Sequence, residues 1–363
     1  MPWIAFLANG LWVMVIGLMG PSVPFIIKEF GIDYSKAGLI FTLLSAGSLG
    51  GTFIGGWVSD YRYRKPFWIA FLALLSAGLI VFGMAPLFPA LLATVFIMSL
   101  FGSPVGAVGQ SIMLQIDPAK RTSYLSIQTM FAAGGNFVAP LLISLVYLLG
   151  FVWRSAFFVT AGLVLALLTA TLFSRLPPPE KHGHSSLSVF RLFRDRRVMI
   201  SGLLIFLSVG VDIGFSYWLA EYFVSWVGAA AELSGFAVGT YLIGVILGRF
   251  LNSKKPDSLD EKVVIALGIV IAAVTLILFL NIAAVPVKLV LVFIYGIGIG
   301  PVFPSLMSSG TMMYPRRSGA ITAVLFSMMS LGGMVFPVLI GTAGTRWGIE
   351  KAYYSLFFIM VLI

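Results

Sequence analysis

Gly56-Trp57-Val58-Ser59-Asp60-Tyr61-Arg62-Tyr63-Arg64-Lys65-Pro66 is a short basic stretch set between two long apolar runs. Its pattern returns 192 residues later as Gly248-Arg249-Phe250-Leu251-Asn252-Ser253-Lys254-Lys255-Pro256. Further along, Asp117-Pro118-Ala119-Lys120-Arg121 is echoed by Tyr314-Pro315-Arg316-Arg317, and Gly134-Gly135 with Pro140 by Gly332-Gly333 with Pro337. Pro118 and Pro140 each lie 197 residues before their counterparts. Landmarks in one order at nearly one offset mark a duplicated chain.

The runs around these landmarks say what was duplicated. The 363 residues are 60% hydrophobic and 10% charged, against about 25% charged in soluble domains. Apolar segments recur from end to end, whereas a signal peptide or tail anchor would supply only one. A soluble enzyme, a secreted protein and a disordered chain are thereby excluded. A hydrocarbon core about 30 Å thick takes about 20 helical residues to cross. Spans are predicted near 3–27, 35–58, 66–84, 88–115, 121–149, 152–174, 197–227, 233–252, 262–282, 286–313, 318–341 and 345–363, twelve in all. The fold class is therefore an all-α membrane protein, with twelve transmembrane helices in two pseudo-symmetric six-helix bundles. Residues 1–174 form the first bundle, 175–196 a cytoplasmic linker and 197–363 the second bundle. The first span starts at Met1 and the last is still apolar at Ile363, so the native chain is expected to run beyond both.

Orientation follows from lysine and arginine in the loops. With the N-terminus in the cytoplasm, 17 of the 23 basic residues fall on the inner side, Arg62, Arg64, Lys65, Arg249, Lys254 and Lys255 among them. Both termini are expected inside, in a bacterial inner (plasma) membrane. The net charge of +10 is thus a topology signal, and nucleic acid drops out as a partner. The chain has no cysteine, which excludes disulfides, thiolate metal sites and cysteine nucleophiles. His182 and His184 in the linker lack a third ligand nearby, and no metal site is expected. Val189–Arg194 is expected to lie on the inner leaflet as a short helix.

Two bundles repeated in parallel is the layout of the major facilitator superfamily. Gly56 with Asp60 and the basic cluster after it resembles that superfamily's signature between spans two and three, although Tyr61 stands where a basic residue is usual and Tyr63 where a glycine is. Within the superfamily, three stretches are similar to the fucose permease-like, or fucose-galactose-glucose symporter, group. They are Gly296-Ile297-Gly298-Ile299-Gly300-Pro301-Val302-Phe303-Pro304, Ser208–Asp212 with Trp218 and Gly248-Arg249, and Gln128-Thr129. The resemblance implies a secondary transporter working by alternating access, a small-molecule substrate, H+ or Na+ as coupling ion, a monomer in the lipid bilayer, and no cofactor or enzymatic activity. It also implies a gating role for Asp60, paired with an arginine or with the positive end of the eleventh span; a solvated loop charge is the alternative. Arg64 and Arg249 are candidates for the same gate, or simply topology determinants.

Asp212 lies 15 residues into the seventh span, about 22 Å along a helix. A charged aspartate at that depth costs about 2.5 kcal/mol or more, so it is read as a substrate ligand or a protonatable coupling group. The alternative is a neutral carboxyl hydrogen-bonded in helix packing. Glu221, nine residues on, faces the other side of an ideal helix and is expected to snorkel outward. Only a break at Gly210 and Gly214 would bring both acids to one cavity. Uncharged polar candidates for substrate contact are Asn9, Gln110, Gln128, Asn136 and Tyr241; hydrogen bonding between helices competes as a reading of each. Trp12, Tyr217, Trp218 and Tyr222 are candidates to stack on a sugar ring, or ordinary core aromatics. Gly47, Gly51 and Gly55 carry small-xxx-small spacing for close packing.

No lysine or arginine lies near mid-membrane, which disfavours an anionic substrate. No G-x-x-x-x-G-K-[ST] motif is present, so nucleotide-driven transport is unsupported. The reading is a carrier of a neutral hydrophilic solute, with sugar as the leading class. A proton-coupled exporter of lipophilic cations is the alternative, with Asp212 as counter-charge.

Overall fold

In lipid every backbone N–H and C=O must be satisfied within the protein, which leaves the helix as the economical solution for an apolar run. A computed structural model of the chain describes residues 2–59, 64–116, 121–174, 192–256, 259–313 and 318–363. Helices dominate it: α1 (Pro2–Phe30), α2 (Tyr34–Ser59), α3 (Arg64–Met84), α4 (Phe88–Ile116), α5 (Arg121–Leu148), α6 (Ser155–Leu172), α7 (Arg196–Ser225), α8 (Ala231–Ser253), α9 (Glu261–Asn281), α10 (Val285–Ile299), α11 (Val302–Met312), α12 (Ser318–Trp347) and α13 (Ile349–Val361). The tenth predicted span is α10 and α11 together, interrupted at Gly300-Pro301, where proline removes a donor and clashes with the preceding turn. Among the described residues eleven segments are long and apolar enough to cross a membrane, and α13 supplies a shorter twelfth element. Large apolar side chains such as Phe53 and Trp57 point outward at 70% and 64% exposure, as a lipid-facing surface requires. The short helix expected at Val189–Arg194, like the two linker histidines, lies mostly or wholly outside the described residues.

Two compact units are present, one of Met1–Phe25 with Leu43–Gly183 and one of Ile26–Thr42 with His184–Ile363. Each repeats the other's internal devices. A built Cβ on Gly47 of α2 would come within 2.5 Å of the Phe96 carbonyl oxygen of α4. In the second unit one on Gly300, just past α10, would come within 2.6 Å of the Val245 carbonyl of α8. Gly135 of α5 lies against the Gly10 carbonyl of α1, and Gly332 of α12 against the Phe206 carbonyl of α7, from which an added carbon would sit 2.6 Å. Small residues thus let backbones touch where lipid gives no hydrophobic drive to association.

The turns repeat as well. Gly31 after α1 and Gly228 after α7 have φ of 59° and 72°, and Gly150 after α5 and Gly348 after α12 have 81° and 89°. These pairs lie 197 and 198 residues apart, the offset already carried by the prolines. Only glycine adopts that backbone cheaply. Gly332 is a different case: a carbon added there would meet the Phe206 carbonyl, so Gly332→Ala should destabilise the protein by about 1–3 kcal/mol, the usual cost of overpacking. Gly134→Ala, with nothing within 4 Å of the new carbon, should not. Equal melting temperatures for the two detergent-solubilised variants would contradict this.

Candidate functional site

Asp195 caps α7, its carboxylate accepting from the N–H groups of Arg197 at 2.9 Å and Val198 at 3.4 Å. From there α7 runs unbroken for 30 residues and carries Asp212 about 24 Å along its length. Gly210 and Gly214 flank Asp212 but share the opposite face of the helix. They receive Phe336 and Ile340 of α12. The break that would have brought Asp212 and Glu221 to one cavity is not there: these glycines seat a neighbouring helix, and α7 stays continuous.

Asp212, half-buried, therefore turns away from α12. The buried hydroxyl of Tyr241 on α8 donates to its Oδ1. One turn further along α7, Phe215 stacks on Tyr295 of α10 with centroids 4.0 Å apart and planes 27° apart. The Tyr353 hydroxyl of α13 donates to the Phe215 carbonyl at 2.8 Å. Tyr241 and Tyr295 face each other at 6.2 Å, and the buried Tyr295 hydroxyl has no hydrogen-bond partner. Arg249 acts electrostatically on Asp212, while its Nε donates to the Gly300 carbonyl at 3.2 Å, at the break between α10 and α11. A carboxyl in mid-helix, ringed by tyrosines and answered by one cation about two turns along α8, can hold a proton or bind a polar ligand.

Glu221 departs from expectation. It does not snorkel: it is 4% exposed and faces the hydroxyls of Ser225 and of Tyr34 on α2. The burial comes from the segment Ile26–Thr42, which packs within the second unit. Phe41 stacks on Tyr217 at 4.3 Å. The Ser35 N–H donates to the Thr345 hydroxyl at 2.9 Å, and the Thr42 hydroxyl donates to the Met334 carbonyl at 2.6 Å. Trp218 is fully buried behind Phe41 and Tyr34. Its indole N–H donates to the Pro337 carbonyl at 3.0 Å, so it is taken up in helix packing.

Lys288 is buried too. Its ammonium donates to the Tyr222 hydroxyl at 3.1 Å and to the Phe279 carbonyl, and lies 4.5 Å from the Phe279 ring centre. Cation–π contact and two acceptors hold the charge without an acid. Tyr222 belongs to this cage and to the core around Tyr353.

The candidates of the first unit do not gather around one point. Asn136 lies over Gly17 of α1, where an added carbon would sit 2.7 Å from its Oδ1. Asn9 abuts Gly106 of α4 in the same manner at 3.0 Å, and Trp12 fills the space above Gly102. Gln128 is buried and Gln110 exposed. Arg64 is buried at the start of α3. Asp60 lies outside the described residues. The sequence reading missed Tyr34, Tyr295 and Phe215. Tyr295 alone offered a signal, as a tyrosine inside an apolar run directly before Gly296.

Comparison with known proteins agrees with this architecture. The profile of the Major Facilitator Superfamily matches residues 5–337. An MFS-type transporter of Bacillus subtilis, YdgK, is 23% identical over 354 residues, covering 93% of this chain and 88% of its own. The TsgA protein of Salmonella schwarzengrund is 21% identical over 99% of this chain and 93% of its own. Among solved structures, a bacterial homologue of the human lysosomal transporter Spinster, inward-facing and unoccupied, superposes with a TM-score of 0.83 over 99% of this chain and 94% of its own, at 16% identity. The nucleoside transporter NupG superposes with a TM-score of 0.82 over 99% of this chain and 95% of its own, also at 16% identity. The helical architecture, the duplicated chain and the family match make one statement: this chain belongs to the major facilitator superfamily and is a membrane transporter, not an enzyme.

Proposed function

We propose that this transporter is a secondary active carrier of a neutral hydrophilic solute, with sugars as the leading class, coupled to an ion gradient. The observation that carries this reading is Asp212: a carboxyl in the middle of a continuous helix, hydrogen-bonded to Tyr241, with no lysine or arginine within ion-pair distance among the described residues. An anionic solute would need a cation there. A polyhydroxylated solute needs only hydrogen-bond partners and aromatic faces. The likeness of the Gly296–Pro304 stretch to the fucose permease-like group supports a sugar. NupG, which shares the fold, is a nucleoside transporter, and nucleosides belong in the same test as neutral polyhydroxylated solutes. The lysine and arginine distribution supports cytoplasmic termini in a bacterial inner membrane, which would put Tyr34 and Glu221 on the outer side. A monomer is proposed.

One observation favours the exporter alternative. An open groove of about 390 Å³ on the first unit is lined by Leu7, Leu11, Met14, Met130, Phe131 and Val138 with no polar side chain, a wall suited to lipophilic compounds. Thermal unfolding in detergent separates the two. At 100 times Kd a ligand stabilises by about 2.7 kcal/mol, a shift of a few degrees. The sugar reading expects that shift from a neutral sugar or nucleoside. A shift from lipophilic cations alone would transfer the reading to export.

A further inference from the structure

We infer that the recess between the end of α7 and the turn from α9 to α10 binds a phosphate anion, with Lys288 as its buried counter-charge. The inference stands apart from the carrier reading above and from Asp212.

The recess itself is the first observation. It has a volume of about 360 Å³ and is lined by Trp226 and Val227 after α7, by Leu280–Ala283 in the turn, and by Lys288 one turn into α10. Three membrane spans end around it, at Ser225, Asn281 and Val285. It therefore lies where hydrocarbon gives way to headgroups and water, the level at which an exposed tryptophan such as Trp226 is at home.

The second observation is the charge on its wall. Lys288 is 3% exposed, and among the described residues no acid lies within ion-pair distance of it. Glu350 of α13 acts electrostatically on Tyr222 but makes no ion pair with Lys288. A buried ion needs both its charge and its hydrogens answered. An ammonium carries three N–H donors. One goes to the Tyr222 hydroxyl at 3.1 Å and one to the Phe279 carbonyl. The third has no acceptor among the described residues, and the faces of Tyr222 and Phe279 answer the charge only in part. Two further donors line the recess. The Ala283 N–H makes no backbone bond among the described residues, and the Asn281 amide spends one of its two hydrogens, on the Ile277 carbonyl at 2.8 Å. A cation with unspent N–H groups suits phosphate oxygens, which accept charge-assisted hydrogen bonds.

The third observation comes from the duplication. Phe82 of α3 stands 197 residues before Phe279. The carbonyls of Phe82, Gly83 and Ala85 receive the Arg154 guanidinium at 3.5, 2.9 and 3.0 Å. The position 197 residues before Lys288 is Leu91, which is fully buried. Tying off the third helix of a unit thus needs no cation on the fourth. Lys288 is particular to the second unit, and the recess gives its charge a use beyond holding the Phe279 carbonyl.

Basic pockets between membrane helices take lipid headgroups, and a dissolved phosphate ester presents the same oxygens. Thermal unfolding of the full chain in detergent distinguishes the two sources, with phosphatidylglycerol, phosphatidylcholine and glycerol phosphate as probes. Phosphatidylglycerol in excess should raise the melting temperature by a few degrees, and phosphatidylcholine should not. An equal rise with glycerol phosphate assigns the site to soluble phosphate; a rise with phosphatidylglycerol alone assigns it to lipid. Ala283→Asp sets a carboxylate on the exposed turn and should weaken phosphatidylglycerol binding more than about tenfold. Lys288→Gln should abolish the response, whereas Lys351→Gln, at an exposed lysine on α13, should keep it. Ala283→Asp decides the matter even where Lys288→Gln fails to fold. No rise with either phosphate probe, an equal rise with phosphatidylcholine, or a full response in Ala283→Asp would overturn the inference.

Discussion

Asp212→Asn is expected to reduce solute accumulation under a proton gradient from about 50-fold to unity. The figure follows from the driving force: one elementary charge moving through 100 mV yields about 2.3 kcal/mol, which supports a concentration ratio of about 50 for one neutral solute per proton. Asparagine keeps the shape of Asp212 and can still accept from Tyr241, but it neither takes up nor releases a proton. Accumulation ratios in energised vesicles, read for native and variant protein side by side, check the point. An Asp212→Asn carrier that accumulates solute as the native one does, with the same pH dependence, would remove Asp212 from coupling and leave it a role in helix packing.

The second large effect concerns the segment Ile26–Thr42. Tyr34 and Ser225 face the buried carboxyl of Glu221, and Phe41 covers Tyr217 and Trp218. Deleting the Tyr34 hydroxyl leaves a buried acid short of a partner, a loss of about 1–3 kcal/mol. A population of the released segment should then rise by about tenfold. The chain contains no cysteine, so a single Ala37→Cys reports on this segment without background. Ala37 is fully buried. Its labelling by a membrane-impermeant maleimide should be slow in the native background and about tenfold faster with Tyr34→Phe. Equal rates would mean that the Tyr34–Glu221 contact does not hold the segment in place.

Much of the fold was legible because the bilayer makes strong demands on sequence. Twenty-residue apolar runs have one reading, and the basic loops and paired prolines exposed the duplication without any structure. The left-handed glycines Gly31, Gly150, Gly228 and Gly348 obey the same offset, yet they went unread, since the sign of φ leaves no mark in composition. The site was less legible. Asp212 stood out through the cost of an acid at mid-depth. Tyr241 was one of several polar residues, and only the arrangement of α7 against α8 selected it. Gly210 and Gly214 look like a hinge when α7 is considered alone; Phe336 and Ile340 arrive from a distant part of the chain and make them a seat. Glu221 was misplaced for the same reason. A helical wheel shows where a side chain points, and the burial of this one depends on Tyr34, contributed by the other half of the sequence.

The most direct test of the account is entrance counterflow in proteoliposomes, because it needs no ion gradient and asks only whether the protein exchanges a solute across the bilayer. Vesicles loaded with single unlabelled sugars or nucleosides are diluted into trace labelled solute. The account predicts a transient rise of internal label above its equilibrium level with at least one neutral solute. Label that only equilibrates, across the whole panel, while a lipophilic cation gives the transient instead, would contradict it.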